Sequence, residues 1–371
     1  MSIEEGTRRP LRAIGLMSGT SMDGVDVALV ETDGEAAVTP GPTAFTPYPD
    51  ELRTLLKRAN EVALGLDDRT ARPEPLAEAE RWVTEIQATA VRTFVEALGA
   101  QPDVVGFHGQ TVMHAPDRGL TIQLGDGQAM ADRLGIPVVF DLRAADMAAG
   151  GEGAPLVPVF HRALVLQAGL ELPAAVLNIG GVANVTWVGA DGDLVAFDTG
   201  PGNALIDDMM EARHHQMMDE GGARASEGTV NRSVVEAYLG DSYFARPAPK
   251  SLDRSQFDRS LTDPLSTEDA AATLVAVTAE SVAHGLKQLP AYPKSLTIGG
   301  GGARNPVMME ALAGAVGLEP RSADGLGWSA AFLEAQAFAY LAVRALGGLP
   351  ITFPGTTGVA EPQTGGRIAR P

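Results

Sequence analysis

Two segments of the chain share one pattern of apolar and polar positions. Residues 12–32 predict an apolar strand, a polar turn and a second strand with alternating apolar positions. Residues 174–200 predict the same hairpin, with Gly180-Gly181 in its turn, followed by a third strand that ends at Asp198. Because the pattern occurs twice, it predicts a duplicated two-domain architecture with a cleft between the two halves.

The segments between these hairpins have either a helical period or a short apolar run. A period of about 3.6 residues predicts helices, and compact apolar runs predict strands. The predicted helices span about 76–98, 274–289, 306–316 and 330–346, and the predicted strands span 104–107, 121–124, 136–140 and 295–299. Asn305 and Pro306 are residue types typical of the N-cap and the first residue of a helix. The alternation of strands and helices indicates a layered α/β protein.

The length of 371 residues favours two domains. We expect the first domain to span 1–168 and the second to span 169–371, with the C-terminal helix able to pack back onto the first. Segment 211–265 lacks a clear period and is rich in Gly, Ser, Arg and Pro. It is either a lid or an irregular surface excursion.

Composition and charge exclude several classes of function. The 47 acidic and 28 basic residues give a formal charge of −19, which repels phosphate backbones and anionic lipids, so we expect neither nucleic acid nor membrane as a partner. The absence of cysteine excludes disulfides, thiolate nucleophiles and cysteine-ligated metal centres. No run of about 18 apolar residues predicts a membrane span, and the N-terminus does not resemble a signal peptide. We expect a cytoplasmic location.

Four glycine-containing turns follow apolar strands, at 19–24, 178–181, 199–203 and 299–306. Glycine permits positive φ and exposes backbone N–H groups that bind phosphate oxygens, so four such turns favour nucleotide binding, although turn geometry explains each one singly. The P-loop pattern is absent, the four lysines lie outside these turns, and no strand–GxGxxG–helix unit opens either half. These observations exclude a Walker-type NTPase, disfavour a Rossmann dehydrogenase and leave a phosphate site without lysine.

Carboxylates at strand ends are candidates for acid–base and metal chemistry. Asp198 ends an apolar run before a Gly-Pro-Gly turn, where a general base would be needed; its alternative role is a cap of that turn. Asp23 and Asp26 flank the first glycine turn and could hold Mg²⁺ through water, because magnesium prefers carboxylates together with phosphates. Alternatively, Asp23 is only a hairpin turn residue and Asp26 only faces solvent.

His108 and His114 follow a predicted strand. A zinc pair is disfavoured because no third ligand lies nearby in the sequence. His108 is either a hydrogen-bonding residue on the wall of a polar ligand site or a buried structural imidazole. Arg143 precedes a glycine-rich loop and could orient a reacting group or bind a carboxylate, or it could form an ion pair with Asp141 or Asp146.

Together these motifs resemble the anhydro-N-acetylmuramic acid kinase family, within the superfamily of actin and the sugar kinases. The resemblance extends over nearly the whole chain and rests on GLMSGTSMDGVD at 15–26, GFHGQT at 106–111, TIQLGDG at 121–127, RAADMAAGGEGAPLVPVFH at 143–161, LNIGGVANVT at 177–186, FDTGPGNALID at 197–207, DEGGARASEG at 219–228, GGGGARNPVMM at 299–309, EAQAFAYLA at 334–342 and TTGV at 356–359. It implies a duplicated actin-like, ribonuclease H-like ATPase fold with ATP in a central cleft.

The resemblance also implies a reaction: 1,6-anhydro-N-acetylmuramic acid, ATP and water give N-acetylmuramic acid 6-phosphate and ADP, in cell-wall recycling. By resemblance, Asp198 is the base that activates water, and Mg²⁺ and the glycine turns stabilise the charge that develops during phosphoryl transfer. The ATP-binding candidates are Gly19, Thr20, Ser21, Met22, Asp23, Gly24, Val25, Asp26, Gly180, Gly181, Gly200, Gly301 and Asn305. The sugar-side candidates are His108, Arg143, Ala154, Pro155 and Glu334. The family further suggests a homodimer.

One motif departs from the family pattern. The family usually has Lys-Ser-Thr-Gly-Arg where this chain has Lys250-Ser251-Leu252-Asp253-Arg254. We expect neither this change nor the unusual approach to Glu334 to touch the chemistry, but they leave another 1,6-anhydro-sugar, such as a levoglucosan-like one, as an alternative substrate. Two further functions stay open. One is a non-catalytic ATP-binding sensor, against which Asp198 argues, and the second is an ordinary sugar kinase without the attack by water.

Overall fold

The computed structural model describes residues 9–19, 21–252, 254 and 256–371. The chain divides into two compact units: the first takes the described residues up to Gln167 together with Glu334–Pro371, and the second is Ala168–Leu333. The sequence predicts that segment 334–371 belongs to the second domain, with its helix able to pack back, whereas this segment lies in the first unit.

The first unit contains a seven-stranded mixed sheet. Its strands are β1 Leu11–Ser18, β2 Gly24–Thr32, β3 Val38–Pro47, β4 Val104–Ala115, β5 Leu120–Leu124, β6 Val138–Phe140 and β12 Arg367–Ala369. They are ordered β12-β6-β4-β1-β2-β3, and β5 pairs with the distal half of β4. Strands β1, β4 and β6 are parallel, whereas β2 and β3 continue from β1 as an antiparallel meander.

Helices pack against this sheet through their apolar faces. They are α1 Asp50–Ala63, α2 Leu76–Leu98, α3 Gly127–Leu134, α4 Ala144–Ala148, α5 Pro158–Gln167, α10 Leu333–Leu346 and α11 Pro354–Thr357. Leu52 of α1, Val83 of α2 and Phe107 of β4 belong to one buried core. Burial of these apolar faces, and not helix propensity alone, stabilises the helices.

Two glycines allow helix α10 to lie directly on the sheet. Gly15 of β1 and Gly106 of β4 are register partners. A Cβ atom at Gly15 would overlap the carbonyl oxygen of Ala335, and one at Gly106 would overlap that of Phe338. Glycine is needed at both positions because any side chain would keep the two backbones apart. This contact ties 334–371 to the first unit and fixes the first turn of α10 beside the sheet.

The second unit contains a five-stranded sheet. Its strands are β7 Ala174–Ile179, β8 Val182–Val188, β9 Leu194–Pro201, β10 Ser295–Gly299 and β11 Pro320–Ser322, and its helices are α6 Ala204–His214, α7 Arg232–Leu239, α8 Thr267–Leu286 and α9 Pro306–Val316. The strand order is β11-β10-β7-β8-β9. Strands β7, β10 and β11 are parallel, and β8 and β9 are antiparallel to their neighbours.

The two sheets have the same topology. In each, an antiparallel meander (β1-β2-β3 or β7-β8-β9) is extended by two parallel strands (β4 and β6, or β10 and β11) beside its first strand. The α/β fold class and the duplication predicted from the two hairpins are therefore confirmed. The cleft between the two halves stays a prediction.

Strand β4 and segment 211–265 differ most from the sequence expectations. The sequence predicts that β4 ends at 107, but the strand continues to Ala115 because β5 replaces β1 and β6 as its partner. The interpretation of 211–265 as an irregular surface excursion is wrong, because it forms α7 and buries Tyr243 and Phe244 in the core of the second unit. No helix within the described part of the chain is long and apolar enough to cross a membrane.

We expect Gly106→Ala to lower the free energy of unfolding by about 1–3 kcal/mol, because the new methyl group overpacks the contact between α10 and β4. The matched control is Gly65→Ala, where the nearest contact of a Cβ atom would be 3.7 Å away, and it should change stability by less than about 0.5 kcal/mol. Urea unfolding followed by circular dichroism measures both. Equal stability of the two variants would contradict the close contact.

Candidate active site

Two β-bulges lie beside candidate residues. In the first unit Leu16 pairs with Phe107 but Ser18 pairs with Gln110, so β4 carries one extra residue at His108-Gly109. Gly109 has a φ of +74°, a conformation that favours glycine. A bulge disrupts the pairing of a strand and changes the direction of nearby side chains.

The second bulge lies at Thr199 in the second unit, between β8 and β9. Ala183 of β8 pairs with Gly200 of β9, whereas the next residue, Asn184, pairs with Asp198. Thr199 is therefore unopposed and directly follows the candidate base. Such bulges are frequent next to active sites.

His108 and Arg143 form a hydrogen-bonded pair in the first unit. Nη2 of Arg143 lies 3.0 Å from Nε2 of His108, and Nδ1 of His108 lies 3.0 Å from the carbonyl oxygen of Gly109. Because arginine only donates, Nε2 of His108 is the acceptor, and Nδ1 carries the proton and donates it to Gly109. The imidazole is 5% exposed and packs against the ring of Phe338. Both ring nitrogens of His108 are thus engaged within the protein.

Burial sets the charge states of this group. Burial and the positive charge of Arg143 lower the pKa of His108 to about 3, so its ring is neutral at pH 7. Burial lowers the pKa of Arg143 to about 10, while Glu334 and Asp146 oppose this change. Burial raises the pKa of Glu334, and Arg143 opposes that change. At pH 7 Arg143 therefore remains a charged donor beside a neutral imidazole.

Arg143 also holds the loop that contains Ala154 and Pro155. Its Nη1 donates to the carbonyl oxygen of Gly153 at 2.9 Å, and the two residues that follow are half-buried. The suggested pairing of Arg143 with Asp141 is wrong, because both oxygens of Asp141 accept hydrogen bonds from Arg69 instead. The structure therefore groups the expected sugar-side residues of the first unit around one guanidinium.

Ser18 and Gln110 hold the base of the first glycine turn, and no sequence pattern gave either of them a role. Nε2 of Gln110 donates to the carbonyl oxygen of Gly19 at 3.0 Å. The hydroxyl of Ser18 lies 2.6 Å from Oε1 of Gln110 and 2.8 Å from the carbonyl oxygen of Gly24. Both side chains are buried. The sequence signal that could have indicated this role is a single glutamine two residues after His108 in a buried strand.

The side chains of this turn do not all face a possible ligand. Ser21 and Asp23 are exposed, and the hydroxyl of Ser21 donates to Asp23 at 2.7 Å. The side chains of Met22 and Val25 belong to the core of the first unit, so only their backbone atoms are available to a ligand. Met22 has a φ of +54°, which is uncommon outside glycine. Thr20 lies outside the described residues.

Asp26 lies in an environment of excess negative charge. Burial, with smaller contributions from the charges of Asp23 and Glu334, raises its pKa to about 7. Within the described residues, no three His, Asp or Glu side chains are grouped closely enough to form a metal centre. Magnesium commonly takes only one or two carboxylates and completes its shell with phosphates and water. Asp23 and Asp26 fit that mode of binding.

The Gly180-Gly181 turn is joined to the start of α6. The N–H groups of Gly202 and Ala204 donate to the carbonyl oxygen of Gly181 at 2.9 and 3.1 Å, and that of Asn203 donates to Gly180 at 2.8 Å. Neither glycine of the turn has a positive φ, and a Cβ atom at Gly181 would make ordinary van der Waals contacts. The glycines here are therefore not required by the fold.

The turn after β10 does require glycine. Gly300 has a φ of +75°, and a Cβ atom there would lie 2.5 Å from Oδ1 of Asn178. Gly301 has more room, with its nearest neighbour at 3.5 Å, and Gly200 packs closely against Ser281. Of the two adjacent glycines, Gly300 is thus fixed by the fold, and Gly301 is the one available to a ligand.

Asn305 is the N-cap of α9, as the sequence predicts. Its Oδ1 accepts hydrogen bonds from the N–H groups of Val307 and Met308 at 3.0 and 3.1 Å, and Pro306 occupies the first turn. This cap uses the carboxamide oxygen. A contact of Asn305 with a nucleotide would therefore come from its amide nitrogen or its backbone.

Asp198 is held by a segment that no sequence pattern connects with it. Its Oδ2 accepts a hydrogen bond from the N–H of Leu252 at 2.8 Å, its N–H donates to the carbonyl oxygen of Lys250 at 3.0 Å, and its carbonyl oxygen accepts from the hydroxyl of Tyr243 at 2.5 Å. The altered motif at 250–254 thus contacts the candidate base directly. It does so through backbone atoms, which the changed side chains do not remove. Asp253 lies outside the described residues.

Comparison with known proteins assigns the family. The sequence profile of the anhydro-N-acetylmuramic acid kinases matches residues 11–370. The chain is 54% identical to the anhydro-N-acetylmuramic acid kinase of Methylobacterium nodulans and 54% identical to that of Azorhizobium caulinodans, in each case over 97% of this chain and 100% of the relative. The chain belongs to this family. It is therefore a kinase, and it comes from a family that uses ATP.

One solved structure, an activator of 2-hydroxyisocaproyl-CoA dehydratase from Clostridium difficile with bound ADPNP, resembles the chain more distantly. Its identity is 12%, its TM-score is 0.46, and the match covers 90% of this chain and 94% of that one. A likeness of this size carries no argument about function. The family assignment rests on the sequence relatives alone.

We expect Asp26→Asn to raise the melting temperature, and to raise it more at pH 8 than at pH 5. The folded-state pKa of Asp26, about 7, lies above the ordinary value of 3.8. Protonated Asp26 therefore favours the folded state, and this stabilisation is lost as the pH rises from about 4 to 7. Asparagine does not ionise, so the variant does not lose stability over this pH range. Thermal melts at both pH values measure the difference, and an equal change at pH 5 and pH 8 would contradict the raised pKa.

Proposed function

We propose that this kinase uses ATP and water to convert 1,6-anhydro-N-acetylmuramic acid into N-acetylmuramic acid 6-phosphate and ADP, as a step of peptidoglycan recycling. The observation that carries the proposal is the position of Asp198, a half-buried carboxylate beside a β-bulge. Hydrogen bonds hold both the backbone and the side chain of Asp198. The family and the names of the close relatives support this substrate. A homodimer belongs to the same proposal because the sequence resemblance suggests it.

Asp198 acts as the general base. Its carboxylate takes a proton from water, and the water oxygen forms a bond with C1 of the sugar while the bond between C1 and O6 breaks. The freed O6 forms a bond with the γ-phosphorus of ATP, and the bond from that phosphorus to ADP breaks. The proton stays on Asp198 until it passes to solvent. The N–H of Leu252 fixes one carboxylate oxygen, which reduces the reorganisation that the reaction needs.

Arg143 and Glu334 bind the sugar. Arg143 presents a charged donor, and Glu334 accepts hydrogen bonds from sugar hydroxyl or amide groups. His108 acts through Arg143, because both of its ring nitrogens already have partners. Its neutral form keeps a second positive charge away from the guanidinium.

The glycine turns bind the phosphates of ATP through backbone N–H groups, and the pair of Gln110 and Ser18 keeps the first turn in place. Asp23 and Asp26 would hold Mg²⁺, with water completing the shell. When bound, Mg²⁺ would neutralise charge on the β- and γ-phosphates. Because these turns contain no lysine, the backbone N–H groups and the metal would supply positive potential together with Arg304 of the fourth turn and Arg254, whose guanidinium lies beside Gly181.

The experiment that tests the proposal is turnover in ¹⁸O water. With the anhydro-sugar and ATP, we expect ¹⁸O at the C1 hydroxyl of the phosphorylated product, measured by mass spectrometry after short incubations. N-acetylmuramic acid, whose ring is already open, should be a poor substrate. Phosphorylated product without label would indicate an ordinary sugar kinase, and no product from any 1,6-anhydro-sugar would indicate a sensor.

We expect Asp198→Asn to lower kcat by about 10²- to 10⁴-fold while the affinities for ATP and sugar stay near normal, because the amide cannot take the proton. The matched control is Asp191→Asn, in the exposed turn between β8 and β9. Steady-state kinetics and calorimetry measure both effects. A kcat above about a tenth of the wild-type value would remove Asp198 as the base.

A further inference from the structure

A buried carboxylate in the first unit has no part in the chemistry described so far. Asp146 lies in α4 and is 1% exposed. Its Oδ2 accepts a hydrogen bond from the N–H of Gly153 at 2.6 Å, and its Oδ1 accepts one from the hydroxyl of Thr357 at 2.7 Å. A buried carboxylate is costly unless both oxygens have partners, and here both have one.

The loop 151–153 also binds Asp146 and Thr357 through backbone groups. The N–H of Gly151 donates to the backbone carbonyl of Asp146 at 2.9 Å, and the N–H of Glu152 donates to the backbone carbonyl of Thr357 at 2.8 Å. A Cβ atom at Gly151 would overlap the carboxylate of Asp146, and Gly153 has a φ of +70°. Residues 151–153 therefore have one well-defined path between α4 and α11.

Asp146 and Arg143 bind the two backbone polar groups of one residue, Gly153. Asp146 accepts the N–H of Gly153, and Arg143 donates to its carbonyl oxygen. The other terminal nitrogen of Arg143 is on His108. A shift of the loop would therefore move the guanidinium, and it would also move Ala154, which follows Gly153. Asp146 also supports the charged form of Arg143.

We propose that Asp146 and Thr357 are positioning residues for the sugar. They set the path of the loop 151–155 and the direction of Arg143, and neither of them contacts the substrate. This inference rests on the proposed function, because it assigns the loop and Arg143 to the sugar side. Its consequence is selective: loss of either contact weakens use of the sugar and leaves use of ATP unchanged.

Thr357 gives the cleaner test. Thr357→Val keeps the shape of the side chain and removes the hydroxyl, whereas Thr357→Ser restores it. We expect Thr357→Val to raise KM for 1,6-anhydro-N-acetylmuramic acid about five- to tenfold, the usual effect of one buried hydrogen bond, with KM for ATP within twofold of wild type. Thr357→Ser should return the sugar KM to within about twofold of the wild-type value.

Asp146→Asn tests the carboxylate independently and keeps the test decisive if Thr357→Val does not fold. One amide oxygen replaces two carboxylate oxygens and the negative charge is lost, so we expect a rise of at least tenfold in the sugar KM. The control is Asp117→Asn at an exposed position of the first unit, which should be unchanged. Melting temperatures of all variants identify those that fold.

The outcomes separate this inference from the proposed function. A wild-type protein that turns over no 1,6-anhydro-sugar overturns the proposed function, and the positioning role falls with it. Wild-type turnover together with a selective rise in the sugar KM in Thr357→Val, reversed in Thr357→Ser, supports the positioning role. Wild-type turnover with an unchanged sugar KM in folded Thr357→Val or Asp146→Asn, or with equal rises for sugar and ATP, overturns the positioning role alone.

Discussion

The first unit depends on a contact between backbones. Helix α10 reaches the sheet because Gly15 and Gly106, paired across β1 and β4, have no side chain to hold it away. The contact fixes the first turn of the helix, which carries Glu334, and it brings Phe338 against the ring of His108. The electrostatic group of Glu334, Arg143 and Asp26 follows from this placement, since Glu334 affects the pKa values of the other two and Arg143 affects that of Glu334.

The site also depends on irregularities in otherwise regular strands. Each sheet has a bulge beside a candidate residue, at His108-Gly109 in the first unit and at Thr199 in the second. A regular strand would send consecutive side chains to alternate faces. The extra residue in β4 breaks this alternation, so His108 can bind the backbone of Gly109. Asp198 can be held by the segment that includes Tyr243 because β9 is an edge strand, whose outer backbone groups have no neighbouring strand.

Local sequence patterns predicted the elements that depend on interactions between residues close in the sequence. The helices at 76–98 and 306–316, the cap at Asn305 and the repeated hairpins needed only periodicity and turn chemistry. The rest depends on pairing between distant residues. The continuation of β4 beyond 107 depends on β5, and the hydrogen bond from Leu252 to Asp198 joins residues that no local pattern relates. Family motifs supplied candidate residues, but not the partners that hold them.

The division of the chain also affects how the protein is made. The first unit is built from both ends of the sequence, and the whole of the second unit lies between them. During synthesis the whole second unit emerges from the ribosome before α10, whereas the sheet of the first unit must wait for that helix. Until then the groove over Gly15 and Gly106 is uncovered, and its apolar surface is exposed to nascent neighbours and to chaperones. The discontinuous unit is therefore the one whose folding is delayed until α10 has been made.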